Sequence, residues 1–370
     1  MKIAIIINTS WNIYNFRRGL VRYFLDRGDE VITIAPEDAY SAKLEEIGCR
    51  FIHLPMSASG MNPVTDFVLL LKLRSLLKAE RPDVVLTYTI KPNIYGSLAA
   101  GWLRIPCICN VSGLGTTFLW KGWVKKMATT LYSFAFRFNR WVFFQNADDR
   151  DEFGRFVKID MSKTSLLPGS GVDIDYFKPG PAPEHSVPVF LMISRLLVEK
   201  GIYDFIEAIR IVKKKGRKAR FRLIGGLDEE HSRTVSKREL EAWIGDGLIT
   251  YQEHVEDVRS DIARADVVVL PSYREGTPRT LLEAGAMGKP LIATDVPGCN
   301  HVLIDGYNGF LCKVRNPKDL AAKMGLFLAL SEEERLQMAQ NARQSIVERF
   351  DERLVIARYG DKIDELVSGL

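Results

Sequence analysis

The sequence feature that most constrains the fold is a regular alternation of short apolar runs with amphipathic segments. Six apolar runs come before a proline-rich stretch near the middle of the chain. Because helical segments separate these runs, crossover connections must join neighbouring strands, and such connections produce a parallel sheet. The pattern predicts a first sheet of six or seven strands. The runs are KIAIII, EVITIA, RFIHLP, DVVLTY, PCICNV and WVFFQ, and the helical segments include residues 15–27, 66–79 and 93–103.

The proline-rich stretch LPGSGVDIDYFKPGPAPEHSVP separates two halves of similar pattern. Its five prolines within 22 residues cannot sustain a central strand or a helix. After it the alternation restarts, and three helical segments close the chain from Pro317 onward. The later strands are VFLMIS, FRLIGG, LITY, DVVVLPS and PLIAT, and the later helices lie near 201–215, 237–243 and 278–287.

Length also indicates two domains, because single cores rarely grow beyond about 250–300 residues and this chain has 370. We predict an α/β protein of two Rossmann-like parallel-sheet domains facing a cleft, with C-terminal helices. The predicted boundaries are 1–168 for the first domain, 169–188 for the linker, 189–350 for the second domain, and 351–370 for a C-terminal helix that could cross back to the first domain.

The composition excludes several classes of protein. With 46% hydrophobic and 26% charged residues, the chain is typical of folded soluble proteins rather than disordered or fibrous ones. No run approaches the roughly 18 apolar residues of a membrane span, and the first apolar run is too short for a signal peptide. Five cysteines without paired spacing predict neither a disulfide framework nor a zinc site. We expect a cytoplasmic protein.

The positive charge is concentrated in the first half of the chain. The net charge is +5, yet the 64 residues from Val84 to Ala147 contain seven basic residues and no acidic one. Such a field attracts phosphate groups. The charge alone leaves a nucleotide, a nucleic acid and a membrane surface open as partners.

The most informative stretch is DVVVLPSYREGTPRTLLEAGAMGKPLIATDVPG. A strand ends at Leu270, a loop with Glu275 follows, and Pro278 is expected at the first position of a helix. The free N–H groups at the start of that helix make an anion site. Glu283 on the helix suits a vicinal diol such as a ribose, while Glu275 would face the group attached to the phosphate. Two solvated surface carboxylates are the alternative.

A second cluster opens the same half of the chain, in VFLMISRLLVEKGIYDFIEA. Arg195 follows a buried strand, and Lys200 comes just before Gly201 at the start of a helix. Two cations beside a helix N-terminus can neutralise a pyrophosphate while the backbone donates to it.

Aromatic and basic side chains interleave in FLWKGWVKKMATTLYSFAFRFNRWVFF, a mostly helical stretch. A basic aromatic amphipathic helix suits the interface of an anionic bilayer. The alternative is that the aromatic rings pack on the first sheet and the lysines face solvent. The membrane interpretation depends on Trp120, Lys121, Trp123, Lys125 and Lys126.

The two clusters, followed by DGYNGFL, together resemble the C-terminal half of the family 4 glycosyltransferases, retaining enzymes of the GT-B fold. The segment LLPGSGVDIDYFKP is similar to the interdomain segment of that family, so the resemblance covers essentially the whole chain. Five motifs resemble a subgroup that adds an N-acetylhexosamine to polyprenyl-diphosphate-linked sugars, as N-acetylgalactosaminyltransferases of bacterial glycan assembly do. They are IYNFR, TIKPNIYGSLAA, SGLGTTF, IGGLDEE and SYREGTPRTLLEA.

The resemblance implies transfer of a sugar, with N-acetylgalactosamine favoured, from a UDP-sugar to a polyprenyl-diphosphate-linked saccharide. It implies that the enzyme is metal-independent, has no other cofactor, binds no nucleic acid, and lies peripherally on the inner face of the cytoplasmic membrane. Arg195 and Lys200 would hold the diphosphate, Glu275 would contact the donor sugar, and these three would be catalytic. The implied donor site consists of Gly276, Thr277, Pro278, Arg279, Thr280 and Glu283, and the implied acceptor or membrane side of Asn15, Arg17, Lys91, Trp120, Lys121, Trp123, Lys125 and Lys126.

The chain departs from the family pattern in three places. The loop after the first strand reads NTSWNIYNFRR instead of a Gly-Gly loop, so Ser10 to Arg17 must shape the acceptor side differently. No histidine follows PCICNV, where VSGLGT stands, and a histidine-supported mechanism does not carry over. Asn300 and His301 replace an Arg-Glu pair that is usual in the subgroup.

Two alternative functions remain open at this point. One is a glycosyltransferase of the same fold with another donor or a soluble acceptor. The other is a basic module that binds membranes or nucleic acid, which leaves Arg195, Lys200 and the two glutamates without a role. A dinucleotide oxidoreductase is disfavoured because no G-x-G-x-x-G follows the first strand.

Overall fold

A computed structural model describes residues 1–57, 62–114, 123–181, 185–227 and 233–368. The chain divides into two compact units. Unit 1 comprises Met1–Gly171 together with Glu352–Leu370, and unit 2 comprises Val172–Asp351. The end of the chain therefore returns to the unit in which the chain begins.

Unit 1 is built on a parallel sheet whose strand order is β3-β2-β1-β4-β5-β6-β7. Its central strands are rich in β-branched residues and fully buried, as expected for a sheet covered on both faces. The order changes direction between β1 and β4, which is the topology of Rossmann-like sheets. The strands are β1 Lys2–Ile6, β2 Glu30–Ala35, β3 Arg50–His53, β4 Val84–Tyr88, β5 Cys107–Val111, β6 Trp141–Phe144 and β7 Thr164–Leu166.

Helices cover the two faces of this sheet. Residues from α3, α4, α5 and α6 pack into the apolar cluster that contains Ala4 and Ile6 of β1. Residues from α1 and α2 pack with Ile3 and Ile5, which point to the opposite face because side chains alternate along a strand. The helices are α1 Ser10–Asp26, α2 Ser41–Glu46, α3 Pro63–Glu80, α4 Ser97–Trp102, α5 Trp123–Ala135 and α6 Ala147–Phe156, and a π-helical turn, Pro92–Gly96, precedes α4.

Unit 2 repeats this plan with a parallel sheet in the order β10-β9-β8-β11-β12-β13. The direction of the order changes between β8 and β11. Its strands are β8 Val189–Ile193, β9 Arg220–Ile224, β10 Thr250–Gln252, β11 Val267–Leu270, β12 Leu291–Thr294 and β13 Gly309–Cys312. Its helices are α7 Ile202–Lys214, α8 Lys237–Gly245, α9 Arg259–Arg264, α10 Arg279–Ala286, α11 Cys299–Val302, α12 Pro317–Ala329 and α13 Glu332–Phe350.

Side-chain caps fix the starts of several helices. In α8, Ser236 accepts from the backbone N–H of Glu239 while the Glu239 carboxylate accepts in return, which forms a capping box. Ser331 and Glu334 repeat this arrangement in α13. Asn62 caps α3 through two backbone N–H groups. These local signals stabilise helix ends that would otherwise leave N–H donors unpaired.

The last helix, α14 (Glu352–Ser368), packs on unit 1. Val355, Tyr359 and Ile363 are buried in the same cluster as β1 and α1. The Tyr359 hydroxyl accepts a hydrogen bond from the Asn110 side chain at 2.9 Å. The return of the chain therefore closes one face of the unit 1 sheet.

The α/β class and the two Rossmann-like parallel sheets are confirmed, and every predicted strand is present. The differences from the predictions include a helix start and an additional strand. The helix expected to start at Asn15 begins at Ser10, because extended Thr9 (φ −165°, ψ 135°) ends the preceding loop. Strand β13 was not predicted, since its four residues begin with Gly309 and give no periodic signal.

We expect Tyr359→Ala to lower the free energy of unfolding of unit 1 by about 3–5 kcal/mol, as for other buried aromatic side chains. The ring is 2% exposed, and its centroid lies 4.8 Å from that of Phe143. Urea unfolding followed by circular dichroism measures the change. Leu354→Ala, at an exposed position of α14, is the matched control and should cost about 0.5 kcal/mol or less. Equal losses would contradict the packing of α14 on unit 1.

Candidate active site

The carboxyl edge of the unit 2 sheet brings the two predicted clusters together. Ligands of open parallel sheets bind outside the carboxyl ends of the strands, at the point where the strand order changes direction. In unit 2 this switch point lies between β8 and β11. Arg195 follows β8, and the loop with Glu275 follows β11. Both clusters therefore lie beside the switch point.

A tight turn positions Lys200 at this edge. The 3-10 turn Val198–Lys200 is followed by Gly201, whose φ of +74° lies in the left-handed region. A Cβ at Gly201 would lie 2.0 Å from the carbonyl oxygen of Pro271, just beyond β11. Only glycine therefore allows this turn to pack against the end of β11 and to begin α7 there.

An ion pair joins Lys200 to the loop after β11. The Lys200 Nζ lies 2.5 Å from Oε1 of Glu275, and the two side chains are 22% and 12% exposed. The backbone N–H of Tyr273 also donates to the carbonyl of Glu199 at 2.8 Å. Because the pair is largely shielded from water, its attraction exceeds that of a surface pair. Residues 75 positions apart in sequence are thereby held in contact.

Arg195 lies on the same edge but differs from Lys200 in its surroundings. Its side chain is exposed, and it forms no ion pair within the described part of the chain. Its guanidinium is therefore accessible to a ligand at the switch point.

The helix that follows the loop begins at Arg279. Pro278 is the N-cap residue, with a non-helical ψ of 117°, so its predicted position inside the helix is wrong by one residue. The Thr280 hydroxyl donates to the carbonyl of Ile193, the last residue of β8, at 3.1 Å. The start of α10 is thereby fixed at the switch point, where its N–H groups and dipole favour an anion. Gly276 and Thr277 complete the half-buried loop between Glu275 and Pro278.

Glu283 lies one turn into α10 and pairs with Arg279. The Arg279 Nε donates to Glu283 Oε1 at 2.9 Å, and the side chains are 13% and 14% exposed. Burial raises the pKa of the Glu283 carboxyl, and the Arg279 guanidinium opposes this shift. Glu283 therefore takes up a proton at a higher pH than an exposed glutamate does.

A glycine after β12 supports the same loop from another side. Gly298 has a φ of +86°, and a Cβ there would lie 2.4 Å from the carbonyl oxygen of Gly276 and 2.6 Å from that of Glu275. Two residues later, the Asn300 amide donates to Asp295 at 2.9 Å. The segment in which the chain departs from the subgroup pattern is therefore packed against the Glu275 loop.

Sequence reasoning missed two serines at this edge. The hydroxyls of Ser194, after β8, and Ser272, after β11, are buried without a hydrogen-bond partner among the described residues. Buried hydroxyls without partners are rare in folded proteins. A serine within two residues of the end of each switch-point strand is the signal that could have identified them.

The predicted acceptor-side residues of unit 1 have different surroundings. The Asn15 amide donates to its own helix one turn earlier at 2.9 Å. Arg17 is buried, with its guanidinium 3.8 Å from the ring centroid of Tyr88. Lys91 forms an ion pair with Asp66 of α3 at 2.8 Å. Arg17 and Lys91 thus both have protein partners.

The basic aromatic segment is described only in part. Trp120, Lys121 and the side chain of Trp123 lie outside the described residues. The Lys125 Nζ lies 3.6 Å from the ring centroid of Phe156, and Lys126 is exposed. The membrane role of this segment remains a prediction.

The acidic residues that could suggest a metal site lie in the first turn of a helix that Asn146 caps. Asp148 and Asp149 lie in the first turn of α6, and the Asn146 side chain accepts from the Asp149 backbone at 2.7 Å. Within the described ranges, no group of three or more histidine, cysteine, aspartate or glutamate side chains could hold a metal ion. None of the described helices is long and apolar enough to cross a membrane.

Two Rossmann-like units, the second with paired charges at its switch point, form the GT-B fold, and solved structures confirm this fold. A glycosyltransferase from Rickettsia africae ESF-5 matches with a TM-score of 0.81 at 20% identity, over 99% of this chain and 98% of that chain. Anabaena HepE in complex with UDP and glucose matches with a TM-score of 0.80 at 21% identity, over all of both chains.

Sequence comparison gives the family. Residues 15–169 match the glycosyl transferase 4-like domain, and residues 174–345 match the glycosyl transferases group 1. The chain is 31% identical, over all of both proteins, to the N,N'-diacetylbacillosaminyl-diphospho-undecaprenol alpha-1,3-N-acetylgalactosaminyltransferase of Campylobacter jejuni. It is 25% identical, over 86% of this chain and 83% of the relative, to the UDP-Gal:alpha-D-GlcNAc-diphosphoundecaprenol alpha-1,3-galactosyltransferase of Escherichia coli. The chain belongs to the family 4 glycosyltransferases, and it is an enzyme.

We expect Gly298→Ala to lower kcat/KM for sugar transfer at least about tenfold, because the new Cβ would displace the Glu275 loop. Gly306→Ala is the matched control: Gly306 has a similar φ of +74°, but no atom lies within 4 Å of a Cβ there. Both variants place an alanine at a positive φ, which is strained for any residue with a Cβ. Steady-state kinetics and thermal melting measure the two effects. Equal losses of activity would mean that the close approach at Gly298 does not position the loop.

Proposed function

We propose that this protein transfers N-acetylgalactosamine from UDP to a saccharide on a polyprenyl diphosphate, with retention at the anomeric carbon. The relative from Campylobacter jejuni, named for that sugar and for a diphospho-undecaprenol acceptor, aligns over the whole chain. The relative from Escherichia coli is named for a UDP-sugar donor and a diphosphoundecaprenol acceptor. The proposal includes a peripheral location on the inner face of the cytoplasmic membrane, where such an acceptor and a UDP-sugar meet, and no nucleic-acid partner.

The observation that carries the proposal is the meeting of Arg195, Lys200 and the start of α10 at one switch point. Two cations and the N–H groups of a helix start suit the diphosphate of a nucleotide sugar. Negative charge grows on the leaving UDP as the glycosidic bond breaks. Positive charges held in place before the reaction stabilise that growing charge without reorganisation, and such stabilisation commonly contributes more to catalysis than any other effect.

The two glutamates take different parts of the donor. Glu283 accepts hydrogen bonds from the ribose hydroxyls, since it lies on the helix whose start binds the phosphates. Glu275 contacts the sugar, and its ion pair with Lys200 couples the sugar to the diphosphate. Gly276, Thr277 and the N–H groups of Arg279 and Thr280 line the phosphate side.

No metal is part of this proposal. Lys200, Arg195 and the helix dipole supply the positive charge that a divalent cation supplies in other transferases. The charges of the site therefore account for stabilisation of UDP without a further ion.

Transfer to a lipid-linked saccharide is the direct test of this proposal. We expect the purified protein to transfer N-acetylgalactosamine from its UDP donor to an undecaprenyl-diphosphate saccharide, at a rate that excess chelator leaves within about twofold, because no metal Lewis acid takes part. UDP-galactose and UDP-glucose serve as comparison donors, with mass spectrometry of the product as the measurement. If only galactose is transferred, the donor is UDP-galactose and the proposed donor sugar is wrong. Activity that chelator abolishes and a divalent ion restores would contradict metal independence.

We expect Glu283→Gln to weaken the binding of UDP about tenfold or more, because hydrogen bonds to a charged group contribute about 1.5–3 kcal/mol. Glu275→Gln should not weaken UDP, since it removes the carboxylate that competes with the diphosphate for Lys200, but it should lower transfer. Titration calorimetry with UDP alone separates the two variants. Glu241→Gln, at an exposed position of α8, is the control.

The raised pKa of Glu283 adds a pH test of the same assignment. As pH falls, the carboxylate takes up a proton and loses acceptor capacity, so the affinity of the parent for UDP should fall. This dependence should be weaker in Glu283→Gln. Equal losses of UDP affinity in the Glu283 and Glu275 variants would contradict the division of roles.

A further inference from the structure

Helix α3 of unit 1 carries a second apolar face that nothing in the described part of the chain covers. Val64, Phe67, Val68 and Leu71 are 72%, 56%, 43% and 45% exposed. Their spacing of three, four and seven residues puts them on one side of the helix. We call these four residues the α3 stripe.

The α3 stripe is separate from the core-facing side of the same helix. Leu69, Leu70, Leu73 and Leu77 are buried in the cluster beneath the sheet. An ordinary surface helix needs only that one apolar face, with polar residues opposite. A contiguous apolar patch that stays exposed to solvent in the folded protein marks an interaction site.

The apolar surface extends onto the neighbouring helix. Trp102, at the end of α4, is 47% exposed. The guanidinium of Arg74 from α3 lies 5.9 Å from the centroid of the Trp102 ring. A tryptophan beside an arginine suits a boundary between an apolar phase and water, because each side chain has an apolar body and a polar end.

The exposed charges of α3 itself have one sign. Lys72, Arg74 and Lys78 are the exposed charged residues of α3. Its acidic residues are neutralised by partners, Asp66 by Lys91 at 2.8 Å and Glu80 by an arginine of β3 at 2.8 Å. The exposed charge that borders the stripe is therefore positive and attracts an anionic surface.

We infer that the α3 stripe binds the surface of an anionic lipid bilayer, with α3 lying in the plane of the interface. Apolar side chains on one side and basic side chains along the border are what such helices present to lipid. A second copy of the chain would bring Lys72, Arg74 and Lys78 against their own equivalents, which like-charge repulsion disfavours. The inference rests on the proposed function, whose acceptor is anchored in a bilayer.

The ion pair beneath α3 connects this surface to the predicted acceptor side. Asp66 lies on the buried side of α3 and holds Lys91, which precedes the turn Pro92–Gly96. If α3 rests on the bilayer, the ion pair therefore fixes Lys91, a lysine of the implied acceptor side, about one helix width from the lipid surface.

The first experiment removes the apolar side chains and keeps the charges. We expect Phe67→Ser/Val68→Ser/Leu71→Ser to reduce co-flotation with phosphatidylglycerol-containing vesicles at least about tenfold, since the apolar contact area is lost. Ile244→Ser/Leu326→Ser/Leu336→Ser removes three exposed apolar residues of unit 2 and is the matched control. The control should float as the parent does. Vesicles of phosphatidylcholine alone should bind the parent more weakly, because the basic border then lacks a partner.

A second experiment detects insertion of the α3 stripe into the bilayer directly and does not depend on a variant that loses vesicle binding. All five cysteines are buried, so an environment-sensitive thiol dye can be attached selectively to Val68→Cys. Its emission should shift to the blue when anionic vesicles are added. A dye on Leu336→Cys, an exposed position of α13, should not shift. Equal shifts at the two sites, or no shift at Val68→Cys, would overturn the inference.

Two further outcomes would also overturn it. In the first, the triple variant of the stripe floats as the parent does. In the second, the parent sediments as a dimer and the triple variant as a monomer, while vesicle binding does not change; the stripe would then be an interface between copies. Circular dichroism shows whether the triple variant is folded, and the dye experiment decides the question if it is not. Transfer to a short, water-soluble acceptor should persist in the variant. Failure of the parent to use any polyprenyl acceptor would refute the proposed function while leaving the vesicle results unaffected.

Discussion

The close packing of two glycines around one loop is the constraint on which the candidate active site depends. Gly201 allows the turn with Lys200 to approach the end of β11, and Gly298 allows the start of α11 to approach the backbone of Glu275 and Gly276. A side chain at either position would meet backbone oxygen within van der Waals distance. Because backbone cannot rotate away as a side chain can, these contacts determine where Lys200 and Glu275 meet.

Among the described residues at this edge, two ion pairs and one exposed cation bear on donor binding. Lys200 pairs with Glu275 and Arg279 pairs with Glu283, while Arg195 is exposed. In each pair the opposite charge compensates a half-buried carboxylate. Without a partner, a charge away from water would cost free energy. A diphosphate that approaches Arg195 and Lys200 must compete with Glu275. Binding of the donor and release of the Glu275 carboxylate toward the sugar are therefore linked events in the proposed reaction.

The alternation of apolar and amphipathic segments was sufficient to predict both sheets, because crossover connections leave few topologies. It could not predict the pairing of Lys200 with Glu275. These residues are 75 positions apart in sequence, and they meet because the strands before them are neighbours in the sheet. The resemblance to known transferases suggested the roles of these residues but not their contact. The second face of α3 was also missed. Apolar residues of α3 lie on two sides of the helix, so their periodicity gives no sign of which side is buried.

Helices already cover both faces of the unit 1 sheet, so the α3 stripe is not needed to cover the sheet. The face formed by α1 and α2 is closed by α14, which returns from unit 2 and buries Tyr359 against Asn110. The opposite face is already closed by the leucines of α3 together with α4, α5 and α6. The stripe lies outside that second layer, so it serves no purpose in the core of unit 1. An exposed apolar stripe beside a basic border suits a partner outside the protein, and an anionic bilayer matches both its apolar and its charged parts.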